Sequence, residues 1–145
     1  MRIKISKEND ELLYKLKTLY NFKSEGIVPR IAFSNSLLLG KIFDAEKDVI
    51  PNSDGKEFRD DKAIFGNVIG NVSNTIIFKS ILDQHYGRNT FEDEFIKLFK
   101  LHLNHGLDNW NTKIEKANIS KGDHIDILGS SLIQLLYVYL DYEHR

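Results

Sequence analysis

The sequence predicts a mainly α-helical single domain fronted by one short strand. Two patterns carry that reading. Residues 2–6, Arg-Ile-Lys-Ile-Ser, alternate polar and apolar with a period of two, the mark of a half-buried strand. Behind them, apolar residues recur at helical spacing in successive stretches separated by Gly, Asn or Pro. The length of 145 residues suits one core, and 41% apolar with 28% charged residues is ordinary for a globular chain.

The strand places Ile3 and Ile5 on one face and Arg2, Lys4 and Ser6 on the other. A lone strand leaves its backbone N–H and C=O groups unpaired, so it needs a partner. That partner is either a later segment or the same strand of a second chain. The second option would form a ribbon with an apolar underside and a basic upper face, one known way to approach a DNA groove.

Helix one is expected from Lys7 to Tyr20. Ser6 caps it, Glu8, Asp10 and Glu11 favour its positive end, and Asn21 ends it. Leu12, Leu13, Leu16, Leu19 and Tyr20 form its apolar stripe. Helix two is expected from about Ser24 to Leu39, regular from Pro29 onward, with Ile27, Val28, Ile31, Leu38 and Leu39 buried. Residues 41–63 are acidic and carry Pro51 and Asn52-Ser53-Asp54-Gly55, a signal for a short hairpin or structured loop. Helix three is expected from about Asn71 to Tyr86, with Val72, Ile76, Ile77, Ile81 and Leu82 inward and Gly87 as stop. Thr90 opens a capping box before helix four, which runs from Phe91 to about Leu107. Its stripe is Phe91, Phe95, Leu98, Phe99, Leu103, Leu107 and Trp110. Residues 111–122 read as a helix end and loop, and 123–142 as a last helix, apolar nearly all round. The domain thus divides into 2–40, 41–66, 67–110 and 111–145.

Composition narrows function. The chain has no cysteine, which excludes disulfides, thiolate metal sites and sulfur carried on a thiol. Its first residues are too polar for a signal peptide and its longest apolar run too short to span a bilayer, so a cytoplasmic location is expected. Net charge is −1, yet residues 1–43 hold eight Lys+Arg against four Asp+Glu, while 44–63 hold four against seven. The basic front third admits a polyanion partner, and equally a solvated helix face.

No phosphate-cradling glycine loop, zincin motif or nucleophile elbow is present. His102 and His105 share one side of helix four, a spacing more common for packed or hydrogen-bonded histidines than for metal ligands. Asp60 and Asp61 read as solvated loop charges. Arg2 and Lys4 either meet phosphates or base edges from a ribbon, or are edge-strand charges that discourage aggregation.

Three pieces in fixed order carry a resemblance. They are Arg2-Ile3-Lys4-Ile5-Ser6 with two helices ending in Arg30-Ile31-Ala32…Ser36-Leu37, then Asp54-Gly55-Lys56-Glu57-Phe58-Arg59…Phe65-Gly66, then Leu98-Phe99…His102-Leu103-Asn104-His105-Gly106. Over about residues 2–110 this set resembles the DNA sulfur modification protein DndE family, and residues 111–145 look like an addition. The resemblance implies a small, helical, ribbon-helix-helix-like homotetramer in the dnd system, which replaces a non-bridging phosphate oxygen of DNA with sulfur. It implies DNA, nicked or duplex, as partner, bound through surface lysines, together with the other modification proteins. With no catalytic motif in the chain, no cofactor and no catalysis by this subunit are expected. Placed on this sequence by local charge, the DNA candidates are Arg2, Lys4, Lys15, Lys17, Lys23 and Arg30. Two other readings stand beside it: a scaffold for the modification complex, and a ribbon-helix-helix transcription regulator.

Overall fold

The computed structural model describes residues 2–68 and 72–117. The expected helix over 123–142 lies outside the described residues. Those described are mainly helical: α1 (Lys7–Tyr20), α2 (Ile27–Leu38), α3 (Asp61–Phe65), β1 (Asn67–Val68), β2 (Val72–Ser73), α4 (Thr75–Tyr86) and α5 (Glu92–Ala117).

Helix α1 has the expected ends. The Ser6 hydroxyl accepts from the Asn9 N–H at 3.1 Å, and Asn21 closes the helix in the left-handed conformation, with φ of 56°. Helix α2 begins at Ile27, after Ser24 but before the regular start expected at Pro29, and the Ser24 hydroxyl accepts from the Gly26 N–H in the turn ahead of it. Helix α5 is the spine. It runs ten residues past the expected end at Leu107, carrying Leu107, Trp110 and Ile114 into the core.

α2 lies directly on α5, and small residues allow it. A Cβ added at Gly106 would sit 1.9 Å from the carbonyl oxygen of Ala32, so the two backbones touch there. On one side of this contact, Phe33 meets Phe99 with ring centroids 5.3 Å apart. Phe65 then joins Phe99 at 5.1 Å and Phe78 at 5.0 Å. These tilted and edge-to-face rings fill the centre of the core.

The N-terminal strand finds its partner within the chain. Ile5 N–H donates to the Lys56 carbonyl at 2.9 Å, Gly55 N–H to the Ile5 carbonyl at 2.8 Å, and Phe58 N–H to the Ile3 carbonyl at 2.9 Å. Lys4 and Glu57 form the antiparallel bridge. Ile3, Ile5 and Phe58 are buried, while Arg2, Lys4 and Glu57 face outward. The Asp-Gly turn therefore forms no hairpin of its own. Asp54 accepts the Lys7 N–H at 2.9 Å, and the segment after it pairs across 50 residues of sequence with the strand.

Several side chains sit differently from expectation. Ile76, Ile81 and Phe91 are exposed, and Phe78 and Leu82 carry the buried stripe of α4. α4 starts at Thr75, four residues later than expected, and Ser73–Asn74 supply its entry turn. Thr90 does not open a capping box. Its N–H and hydroxyl both donate to Asp83, at 2.9 and 2.5 Å, which fastens the α4–α5 turn and leaves Phe91 outside. Leu38 and Leu39 are also exposed, where α2 ends beyond its contact with α5.

The backbone contact gives a direct test. Alanine normally stabilises a helix relative to glycine. Gly106→Ala is instead expected to lose about 1–3 kcal/mol by overpacking, read as a lower urea midpoint at unchanged slope.

Candidate nucleic-acid interface

The sequence-derived cations fall into two groups. Arg2 and Lys4 lie exposed on the outer face of the strand, with Glu57 across from Lys4. The side-chain alternation that buries Ile3 and Ile5 puts them there. Lys17, Lys23 and Arg30 surround the loop joining α1 and α2; Lys23 is exposed and the other two half-buried. Lys15 stands apart. Its ammonium donates to Asn111 Oδ1 at 2.6 Å and lies 3.5 Å from Glu115, tying α1 to the far end of α5.

Two cations from the acidic stretch join the second group. Lys56 forms an ion pair with Glu25 at 2.7 Å and lies over the Phe58 ring. Hydrogen bonding from Lys56, helped by the charges of Lys56 and Lys17, holds the Glu25 carboxyl below its usual range against the effect of burial. Lys62 lies on α3, whose start is capped by the Asp60 carboxylate accepting from the Ala63 N–H at 3.0 Å. Asp61 accepts the Thr75 hydroxyl at 2.6 Å. The two adjacent aspartates are half-buried and hold α3 in place, rather than standing as solvated loop charges.

Between these elements lies a cleft of about 440 Å³, lined by Ser24, Glu25, Arg30, Lys62, Ala63, Gly66 and Asn67. Two glycines shape it. A Cβ at Gly26 would come within 2.6 Å of the carbonyl oxygens of Ala63 and Ile64, so the loop rests on the backbone of α3. Gly66 has φ of 77°, and a Cβ there would meet the Arg30 Nη1 at 2.6 Å. The Arg30 guanidinium thus lies against the Gly66 backbone.

The histidines occupy a different place, inside the α2–α5 contact. Ser36 Oγ is 2.7 Å from His102 Nδ1 and 2.8 Å from His105 Nδ1. His102 Nε2 is 2.8 Å from the Tyr86 hydroxyl, whose oxygen accepts the Phe43 N–H at 2.9 Å. His85 Nε2–H donates to the Lys41 carbonyl at 2.7 Å. Among the described residues, no group of three or more His, Cys, Asp or Glu is placed to hold a metal ion. Burial, with the nearby His85 and His105, lowers the His102 pKa to about 3. The site accepts neutral imidazole and resists imidazolium.

Among the described residues, no helix is long and apolar enough to cross a membrane. The family model for DNA sulphur modification protein DndE matches residues 2–118. The crystal structure of DndE from Escherichia coli B7A, involved in DNA phosphorothioation modification, matches with a TM-score of 0.60 at 22% identity, covering 74% of this chain and 92% of that one. No curated protein sequence matches the chain.

His102 sets a pH dependence. Its folded pKa lies below its unfolded value, so the unfolded chain takes up the proton first as pH falls. The stability present above the unfolded value near 6.5 is lost progressively down to about 3. Between pH 7 and 5 the loss is expected to be about 1–2 kcal/mol in urea melts, and His102→Gln should flatten that slope.

Proposed function

The chain belongs to the DndE family of DNA sulphur modification proteins and so takes part in DNA phosphorothioation. On that premise we propose that it is a non-enzymatic subunit that binds the DNA backbone, nicked or intact. The observation that carries the reading is the gathering of cations from distant parts of the sequence. Arg2 and Lys4 share the exposed strand face, while Lys17, Arg30, Lys56 and Lys62 meet around Glu25 and the cleft. Lys23 is exposed on the same α1–α2 loop, whereas Lys15 stands apart against α5. Lysine and arginine on a rigid surface bind phosphates without reading sequence, and release counterions in doing so.

A second role is favoured by one feature. Leu38, Leu39 and Ile42 are 59%, 49% and 58% exposed at the end of α2. An apolar cluster of this kind suits contact with protein, either further copies in a homotetramer or the other dnd proteins. Pairing of the N-terminal strands of two chains as a ribbon is a second route to such contact.

Fluorescence anisotropy with intact, nicked and single-stranded DNA at two salt concentrations tests the first role. Affinity should fall steeply as salt rises. Arg2→Ala with Lys4→Ala should lower it about tenfold or more and reduce the log–log salt slope by about two. Lys15→Ala should do less, because its ammonium is engaged by α5. A duplex affinity indifferent to salt would overturn the assignment.

A further inference from the structure

The exposed apolar cluster at the end of α2 has a candidate occupant within the same chain. We propose that residues 123–142 fold back beside α5 and cover Leu38, Leu39 and Ile42. The inference goes beyond the DNA-binding reading and does not depend on it.

Three observations support it. The first is the cluster and its place. Leu38, Leu39 and Ile42 are each about half exposed, more apolar surface in one spot than scattered surface residues leave. Two anchors flank them. Asn35 Nδ2 donates to Asn109 Oδ1 at 3.4 Å, and the Phe43 ring meets His105 edge-on with centroids 5.9 Å apart. The cluster between these anchors therefore lies beside the second half of α5.

The second is the composition of the segment. Twelve of residues 123–142 are Ile, Leu, Val or Tyr, so a helix formed there has apolar surface to bury against something. The segment follows the last residue matched by the family model, residue 118. Its partner therefore has to come from outside the pattern that the family model describes.

The third is reach. α5 ends at Ala117, eight residues past Asn109, which is about 12 Å along its axis. Residues 118–122, Asn-Ile-Ser-Lys-Gly, have the length of a connection between two antiparallel helices. A returning helix of twenty residues spans about 30 Å, so it passes the cluster. It falls short of the other exposed apolar residues. Phe91 precedes the far end of α5, about 39 Å from Ala117. Ile76 and Ile81 lie on α4, which Thr90 and Asp83 fasten to that same end. A protein that docks at the α2 cluster must then first lift the segment away.

The test uses the full chain and paramagnetic broadening in NMR. The chain has no cysteine, so a nitroxide can be attached at one introduced site, Ser131→Cys. Amide signals of Leu38, Leu39 and Ile42 should broaden, while those of Ile76, Ile81 and Phe91 stay sharp. Isotope-labelled chain without the nitroxide, mixed with unlabelled chain that carries it, should show no broadening. Leu39→Asp with Ile42→Asp should restore the Leu38 signal. Both positions are exposed on the described surface, and an unmoved Phe99 signal would show that the core still forms. Without any nitroxide, the same double variant should be cut by chymotrypsin after Tyr137 and Tyr139 several-fold faster than the parent chain. Its DNA affinity should not change, so failure here would leave the proposed function standing. Sharp signals at the cluster, broadening at Phe91 instead, or cleavage unaltered by the double variant would overturn the inference. Broadening in the mixed sample would overturn it too, by assigning the cluster to the segment of a second copy.

Discussion

The contact between the Ala32 carbonyl and Gly106 is the constraint on which the rest of the fold depends. Two helices normally stand 8–10 Å apart, held off by their side chains. Here one lacks a Cβ and the other presents alanine, so the backbones close up. That approach brings Phe33 onto Phe99 and puts Ser36 within hydrogen-bond reach of two histidines from successive turns of α5. It also lets Asn35 reach Asn109 at 3.4 Å. The aromatic centre and the polar network are two sides of one close crossing.

The strand pairing closes the structure at the other end. Ile3, Ile5 and Phe58 form a small apolar layer under the pair, and the same alternation forces Arg2 and Lys4 outward. One edge of the strand is taken by residues 55–58, and its polar face is left to solvent. The segment that pairs with it also delivers Lys56 to Glu25, so chain closure and clustering of the cations come from a single stretch.

Much of this was legible in the sequence. The period of two named the buried and exposed faces of the strand from Arg2 to Ile5 but not at Ser6, which is buried as the cap of α1; Ser6 and Asn21 bounded α1 because each does its capping locally. Stripes on long helices were legible too, as Phe95, Leu98, Phe99, Leu103 and Trp110 show. α3 and the β1–β2 pair were not. Five residues give no helical period, and a two-residue strand gives no alternation. Phe91, Ile76 and Leu38 fit the apolar pattern of their stretches, yet they are exposed, because their facing is set by where each helix starts or stops. Lys56 and Lys62 were missed because they lie in an acidic window. Averaged charge along the chain cannot reveal that Lys56 crosses to Glu25 or that Lys62 and Arg30 share a cleft.

The polar row inside the α2–α5 crossing has a property that no single contact reveals. The Ser36 hydroxyl carries one proton and faces two imidazole nitrogens, so it can donate to only one of them. If it donates to His105, then His102 must donate to it, and Tyr86 must donate to His102. If it donates to His102, every bond in the row reverses. The four groups therefore share one of two directions and change only together. His105 and Tyr86, the two ends of the row, are both half-buried, so a proton gained by His105 would fix the direction along its whole length as far as Tyr86.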